Sequence, residues 1–213
     1  MSVRPLVTLC LYTYRQEQYI EDAVRSALAQ DYSPLEVILS DDASPDATPS
    51  IMRRCVETVS TRHRVVVNLN DQNLGVTRHV NKVLGMASGE IVIGMAGDDI
   101  SYAHRASVVV DTILQTNASL VISDADTIDA GGHVTGHLYL RAPPPLSALR
   151  MALSGNSLTP GAVIGLRREV FDRFGGLPTD VENEDDQLGF RAALLNGVSY
   201  VNQRLVGYRV HTG

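Results

Sequence analysis

Three acidic clusters hold the residues of this sequence that are best suited to chemistry. Asp98-Asp99 ends the stretch VIGMAGDD, Asp41-Asp42 follows a short apolar run, and Glu184-Asp185-Asp186 begins a predicted helix. Two adjacent carboxylates repel each other unless a positive charge lies between them. A divalent metal that holds a phosphate is the simplest such charge. Each cluster alone is weak evidence, because acidic pairs in loops are commonly solvated and acids at a helix start interact with the helix dipole.

The elements before these clusters are predicted to bring them together. Apolar runs alternate with helical patterns in the order β-α-β-α-β-α-β, with short connections, and this order predicts a parallel, right-handed sheet covered by helices. Ligands bind at the carboxyl ends of the strands in such sheets, so the acidic loops are predicted to share one rim. The predicted strands are Leu6–Tyr12, Leu35–Ser40, Val65–Leu69 and Glu90–Ala96, and the helices are Tyr19–Gln30, a segment from about Thr48 to Thr61, and Val76–Ala87.

The second half of the sequence has a less regular pattern. Periodicity is lost over Asp124–Pro145, where Gly131-Gly132 predicts a hairpin turn and Ala142–Pro145 predicts a stiff extended connector. Around this stretch we predict strands at Leu120–Ser123, Ala162–Leu166, Ser199–Val201 and Val206–Val210, and helices at His104–Gln115, Arg168–Phe174 and Glu184–Leu195.

Composition narrows the class of protein. The 213 residues suit one α/β domain, and a net charge of -6 without a basic block argues against a nucleic-acid partner. Cys10 and Cys55 lie in apolar stretches and are predicted to be buried, reduced thiols, which indicates a reducing compartment. No apolar run reaches the roughly 20 residues of a membrane span. We therefore expect a cytoplasmic protein, with peripheral attachment to the inner face of a membrane as the alternative.

The order and spacing of several segments resemble glycosyltransferase family 2, whose nucleotide-sugar-binding fold is called GT-A. The segments are VTLCLYTYRQEQYIEDAVRSALAQ, LEVILSDDASPDAT, NLGVTRHVNKVLGMASGEIVIGMAGDD, REVFDRFGGL, EDDQLGFR and YRVH. The resemblance implies one GT-A domain over residues 1–213, with a nucleotide-binding half at 1–100 and a smaller acceptor-binding half at 101–213. The chain stops just after its last motif, so we expect that it is truncated at the C-terminus.

The resemblance also implies the residues that bind the nucleotide. Tyr14 matches a tyrosine that stacks on the base, and Asp42 matches an acid that hydrogen-bonds it. A carboxylate there accepts from the N3–H of uracil or thymine, so UDP is the favoured nucleotide and dTDP the alternative. Arg78 falls in the segment that faces the base and diphosphate, and Asp98 matches the acid directed toward the ribose. A solvated helix arginine is an equally good interpretation of Arg78.

The same resemblance implies a metal site and a catalytic base. Asp99 matches a ligand of a divalent cation, Mn²⁺ or Mg²⁺, and His211 matches a position that reaches the metal or the diphosphate. Asp185, in the pattern Glu184–Arg191, matches the base that takes a proton from an acceptor hydroxyl as its oxygen attacks the anomeric carbon. One such displacement inverts the configuration. Asp186 is interpreted as a neighbour of the base.

Two departures from the family pattern bear on these roles. Arg15 stands where the family often has Asn, and Ala96 occupies the place of an additional metal-motif Asp. The predicted function is transfer of a sugar from a nucleotide-diphosphate sugar to a hydroxyl of a glycan or lipid-linked glycan, as in polysaccharide biosynthesis. The alternative is a non-catalytic module that binds sugar nucleotides or glycans. A phosphorylation receiver domain would need acids after the first strand, and a nucleotidyltransferase would need a glycine-rich phosphate loop near the start.

Overall fold

The first half of the chain forms the predicted parallel sheet. The computed structural model describes residues 4–138, 160–180 and 184–210. The strands are β1 (Val7–Thr13), β2 (Leu35–Asp41), β3 (Arg64–Leu69) and β4 (Ile91–Ala96), and the helices between them are α1 (Ile20–Leu28), α2 (Thr48–Thr58) and α3 (Val76–Met86). The strands pair in the order β3-β2-β1-β4, all parallel. The helices end within a few residues of their predicted bounds, and α2 ends at Thr58 instead of Thr61.

The pattern of buried residues explains why β2 forms a strand and α1 forms a helix. Every residue of β2 is buried, which suits a central strand with apolar neighbours. Helix α1 buries one stripe of five apolar residues, Ile20, Ala23, Val24, Ala27 and Leu28, and this is the stripe that the sequence predicts. Each fully buried aliphatic side chain contributes about 1.5–3 kcal/mol to stability. Cys10 and Cys55 are free and buried, as expected.

The second half extends the same sheet with both parallel and antiparallel strands. Its elements are β5 (Ile100–Ser101), α4 (Arg105–Thr116), β6 (Leu120–Ile128), β7 (Val134–His137), a 3₁₀ turn (Gly161–Val163), β8 (Ile164–Arg167), α5 (Glu169–Asp172), α6 (Glu184–Leu194) and β9 (Val198–Arg209). The sheet order is β3-β2-β1-β4-β8-β6-β9-β5, with β7 paired to β6. Strand β8 is antiparallel to β4 and β6, whereas β9 is parallel to β6. The predicted α/β class, with a mostly parallel central sheet flanked by helices, is confirmed.

Several predicted bounds in this half are wrong. Strand β6 does not stop at Ser123 but continues to Ile128, and the two predicted final strands are one strand, β9. The polar residues Asn202 and Gln203 break the apolar pattern, but the pairing with β6 continues past them through a register shift. The short strand β5 carries no periodic signal, so the sequence does not predict it. Strand β8 begins at Ile164 instead of Ala162, because a 3₁₀ turn takes the preceding residues.

The predicted hairpin turn at Gly131-Gly132 is confirmed. It joins β6 to β7, and Gly132 has a φ of 82°, a conformation that glycine adopts without strain. The connector predicted at Ala142–Pro145 lies outside the described residues. None of the helices in the described part of the chain is long and apolar enough to cross a membrane.

Candidate active site

A cavity of about 730 Å³ lies at the carboxyl end of β4. Its lining includes Asp98 and Asp99, which follow β4, and Glu184 and Asp185, which begin α6. Two of the three acidic clusters therefore reach the same cavity although they are far apart in the sequence, whereas Asp41 and Asp42 are not among the described residues that line it. The volume falls in the range of about 300–1,000 Å³ that is common for small-molecule sites.

Asp99 presents one carboxylate oxygen without a partner. Its Oδ1 accepts a hydrogen bond of 2.8 Å from the backbone N–H of Arg209, whereas Oδ2 is buried and has no hydrogen-bond partner among the described residues. Burial raises the pKa of Asp99 to about 7. The hydrogen bond from the Arg209 amide lowers this pKa, and the negative charge of the neighbouring Asp98 raises it further. A buried oxygen with no donor is costly unless a ligand satisfies it.

Arg209 fixes the turn that carries both aspartates. Its Nε donates to the carbonyl oxygen of Asp98 at 2.7 Å, and its Nη1 donates to the carbonyls of Asp129 and Ala130. The guanidinium also stacks over the ring of Tyr19, 4.5 Å from its centroid. Arg209 therefore supplies a positive charge next to the acidic pair and joins it to the β6–β7 hairpin.

Gly97 permits the close approach of this turn to β1. A Cβ on Gly97 would lie 2.5 Å from Thr13 Oγ1, closer than real contacts allow. A glycine between Ala96 and Asp98 therefore lets the chain turn sharply as it leaves β4, so that both carboxylates follow within two residues.

Asp185 is held by a backbone amide on the cavity wall. Its Oδ2 accepts a hydrogen bond of 2.7 Å from the N–H of Gly161, in the 3₁₀ turn before β8. Burial raises the pKa of Asp185 to about 7, and Glu184 and Asp186 contribute to the rise while the Gly161 amide opposes it. A carboxyl group with a pKa near neutrality is suited to exchange protons at physiological pH.

Arg105 connects the strand that precedes Asp98 and Asp99 with the 3₁₀ turn that holds Asp185. It is fully buried, and its Nη2 donates to the carbonyls of Gly94 in β4, Ala162 in the 3₁₀ turn and Ile164 in β8, at 2.8, 2.7 and 3.2 Å. Burial lowers the pKa of Arg105 to about 10, so the group stays charged at neutral pH. The sequence carries no signal for this residue, because charged side chains at a helix start are ordinarily solvated.

Asp42 is buried and holds a loop, a role that the sequence does not suggest. Its carboxylate accepts hydrogen bonds from Asn70 Nδ2 and from the backbone N–H groups of Leu74 and Gly75, at 2.7, 2.9 and 3.0 Å. These bonds tie the end of β2 to the loop that leads into α3. A carboxylate has about four lone-pair sites, so three donors leave about one for a ligand.

The remaining predicted nucleotide residues are exposed. Tyr14 follows β1 and is 40% exposed, and Arg78 is exposed on α3. Neither is among the described residues that line the cavity with Asp99 and Asp185. His211, the predicted metal or diphosphate contact, lies outside the described residues.

Comparison with known families agrees with this geometry. The family model described as "Glycosyl transferase family 2" matches residues 8–175, well over half of the chain. The chain belongs to glycosyltransferase family 2. The match runs from Thr8 in β1 to Gly175, just past α5, and includes β4 together with Asp98 and Asp99, which follow that strand.

Relatives of this family 2 chain come from several bacteria. An uncharacterised glycosyltransferase of Nostoc sp. is 22% identical over 213 residues, which cover 96% of this chain and 65% of that protein. The Bacillus subtilis glycosyltransferase TuaG, whose name assigns it to teichuronic acid biosynthesis, is 35% identical over 96 residues, 45% of this chain and 37% of that protein. The chain thus spans less than two thirds of the length of each of these two relatives.

Two solved structures have the same fold as this family 2 chain. TarS of S. aureus, residues 1–349 in complex with UDP-GlcNAc, matches 97% of this chain and 59% of its own with a TM-score of 0.71 and 20% identity. The mannosyltransferase PcManGT from Pyrobaculum calidifontis, in complex with GDP-Man and Mn²⁺, matches 95% and 56% with a TM-score of 0.72 and 23% identity. At these identities the likeness shows the GT-A-type fold.

The family 2 site contains oxygen ligands that fit a divalent cation. Carboxylate oxygens suit Mg²⁺ and Mn²⁺, and the buried Oδ2 of Asp99 lacks the partner that such a cation would supply. No group of three or more His, Cys, Asp or Glu side chains within 4–138, 160–180 and 184–210 could hold a metal ion by itself. A cation here would therefore take some of its ligands from a bound diphosphate or from elsewhere.

Proposed function

We propose that this chain transfers a sugar from a nucleotide-diphosphate sugar to an acceptor hydroxyl with inversion of configuration. The observation that carries the proposal is that Asp99 and Asp185 line one cavity, although 85 residues lie between them. A transferase of this kind needs a site for the leaving diphosphate and a base for the acceptor within reach of one anomeric carbon. A single cavity with two separate carboxylate sets meets this requirement.

Asp185 acts as the base. Its carboxylate takes the proton of the acceptor O–H while that oxygen forms a bond to the anomeric carbon and the bond to the diphosphate oxygen breaks. The proton ends on Asp185 and the bonding electrons leave with the nucleoside diphosphate. The pKa of about 7 balances the fraction of charged carboxylate against its basicity at neutral pH.

Asp99 would hold a divalent cation, Mn²⁺ or Mg²⁺, and His211 would be its second ligand. When bound, such an ion neutralises the charge that develops on the leaving diphosphate. The Arg209 amide fixes Oδ1 of Asp99, so that Oδ2 is the oxygen left for the ion. The Mn²⁺ in the complex of PcManGT with GDP-Man supports this assignment.

The nucleotide lies toward the ends of β1 and β2. In this proposal Tyr14 stacks on the base, Asp42 accepts from its N–H, Arg78 contacts the base or diphosphate, and Asp98 binds the ribose. UDP is the favoured nucleotide and dTDP is the alternative. The complex of TarS with UDP-GlcNAc supports the choice of UDP. Because PcManGT is seen in complex with GDP-Man, GDP is included among the nucleotides to be tested.

The two halves divide the work between the donor and the acceptor. Residues 1–100 form the nucleotide-binding half of a single domain, and residues 101–213, which include α6 and Asp185, form the acceptor half. The acceptor is a glycan or lipid-linked glycan of a polysaccharide pathway, in keeping with the name of the TuaG relative. We place the reaction in the cytoplasm, at or near the inner face of a membrane.

A thermal-shift panel followed by turnover assays tests the function. The protein is heated with UDP, dTDP or GDP, with and without Mn²⁺, and donors of whichever nucleotide binds are then assayed for hydrolysis and transfer. We expect stabilisation by UDP with Mn²⁺ and release of UDP from a UDP-sugar. Binding without any turnover would favour the alternative, a non-catalytic module that binds sugar nucleotides. No stabilisation by any nucleotide would contradict both.

A further inference from the structure

The contact between Gly161 and Asp185 depends on the absence of a side chain. The Gly161 N–H donates to Asp185 Oδ2 at 2.7 Å. A Cβ built on Gly161 would overlap Asp185 Oδ1 and crowd the other two carboxylate atoms. Any larger residue at position 161 would therefore push the carboxylate away from the amide that holds it.

The turn that contains Gly161 is fixed to β4. Arg105 Nη2 donates to Ala162 and Ile164, which follow Gly161 in the chain, and to Gly94 in β4. The backbones are close at this point, since a Cβ on Gly94 would lie 3.3 Å from the Gly161 carbonyl oxygen. Strand β4 ends two residues before Asp98, so the amide that holds Asp185 is anchored to the strand that carries the donor-side acids.

We propose that Gly161 is a positioning residue for the base: its N–H fixes the Asp185 carboxylate relative to the end of β4, and its lack of a side chain leaves room for that carboxylate. This inference rests on the proposed function, in which Asp185 takes the acceptor proton. A displaced carboxylate would still bind protons but would no longer lie in line with the acceptor oxygen. Displacement by about 1 Å at such a site can cost about a hundredfold in rate.

The groups around Asp185 predict how the change affects the pH profile. Glu184 and Asp186 on α6 are acidic, Tyr12 on β1 and Tyr208 on β9 face Asp185, and Asp98, Asp99 and Arg209 line the same cavity. Among the described residues, the Gly161 N–H donates the hydrogen bond that favours the charged form of Asp185. Its loss should therefore move the acidic limb of the rate profile to higher pH.

The test compares Gly161→Ala with Gly85→Ala. Gly85 is exposed on α3 with open space around its Cα, so the same added methyl group there should leave kcat unchanged. For Gly161→Ala we expect kcat to fall about a hundredfold while the donor KM stays within about twofold, with the acidic limb shifted upward. A kcat within about threefold of the native value, or an unmoved acidic limb, would overturn the proposal.

A stability cycle keeps the proposal testable if Gly161→Ala alone unfolds. Thermal unfolding is measured for the native chain, Gly161→Ala, Asp185→Ala and the double variant. If the added methyl group meets the carboxylate, its effect on the melting temperature disappears once that carboxylate is gone. An equal loss in both backgrounds would overturn the inference. Full turnover by Asp185→Asn would instead contradict Asp185 as the base, and the stability cycle would still report the contact.

Discussion

Asp185 is the single residue on which the proposed chemistry depends most. Replacing it with Asn keeps the shape of the side chain and an oxygen that can accept from Gly161, but removes the base. We expect transfer to fall by about 10²–10⁴-fold, the usual contribution of a general base, with UDP and Mn²⁺ binding retained. Steady-state transfer and calorimetry measure the two effects. Asp186→Asn removes the same charge from the same helical turn and should retain most activity; the opposite ranking would make Asp186 the base.

The raised pKa of Asp185 predicts the pH dependence of turnover. Only the carboxylate form accepts a proton, so kcat should rise with pH through an apparent pKa near 7 and then level off. The measurement is kcat from about pH 5.5 to about pH 9 at saturating donor and metal. A flat profile across neutrality would show that no group with this pKa limits the reaction.

The raised pKa of Asp185 also predicts that the folding stability of the native protein falls as pH rises, whereas its kcat increases. Because burial raises the folded-state pKa of Asp185, its favourable contribution is present below the ordinary Asp pKa and is lost as pH rises through about 7. Asp185→Asn should therefore be more stable than the native protein at about pH 8, by up to about 4 kcal/mol, and nearly equal to it near pH 4. Denaturant unfolding at both pH values checks the crossover, which equal stabilities at about pH 8 would rule out.

At the level of elements, sequence periodicity predicts the first half of the fold well and the second half less well. In β1 to β4 each strand is a continuous apolar run, and each connection is a helix with one apolar stripe, so local pattern and topology agree. The pairing of β6 with β9 joins segments about 80 residues apart through a register shift at Asp124. No local pattern encodes such a pairing, which explains why the sequence predicts too short a β6 and a divided β9.

Asp42 connects element geometry to base recognition, and two substitutions separate the roles. Asp42→Ala removes the acceptor of the Asn70 amide and of the Leu74 N–H, and leaves the Gly75 N–H with only Asn73 Oδ1. We expect a loss of about 1–3 kcal/mol in unfolding free energy and weaker discrimination of uridine from other nucleotides. Asn70→Ala removes one of these bonds and leaves the carboxylate in place. If it loses selectivity to the same extent, Asp42 acts through the loop and does not contact the base.

At the level of the whole molecule, the sequence predicts the shared rim but not the parts that align it. Asp98 and Asp99 could be placed at the rim because they follow a strand of the parallel sheet, and Asp185 could be placed with them because its motif resembles that of the family. Arg105 and Gly161 could not, because their roles arise from the meeting of β4, β8 and α6 in space. Buried polar contacts between distant segments leave no periodic trace in a sequence.

Charge over the whole chain predicts that nucleotide and metal binding depend on each other. The net charge is -6 and the cavity is lined by acids, so a diphosphate alone enters an unfavourable field. UDP and Mn²⁺ together should raise the melting temperature more than the sum of their separate effects. A ligand at about 100 times its Kd adds about 2.7 kcal/mol to the free energy of unfolding.

Asp99→Ala should abolish this synergy between UDP and Mn²⁺. Asp111→Ala, which removes the same charge from the exposed side of α4, should retain it. Full synergy in Asp99→Ala would exclude Asp99 as the ligand, whereas loss of synergy in both variants would reduce the effect to net charge.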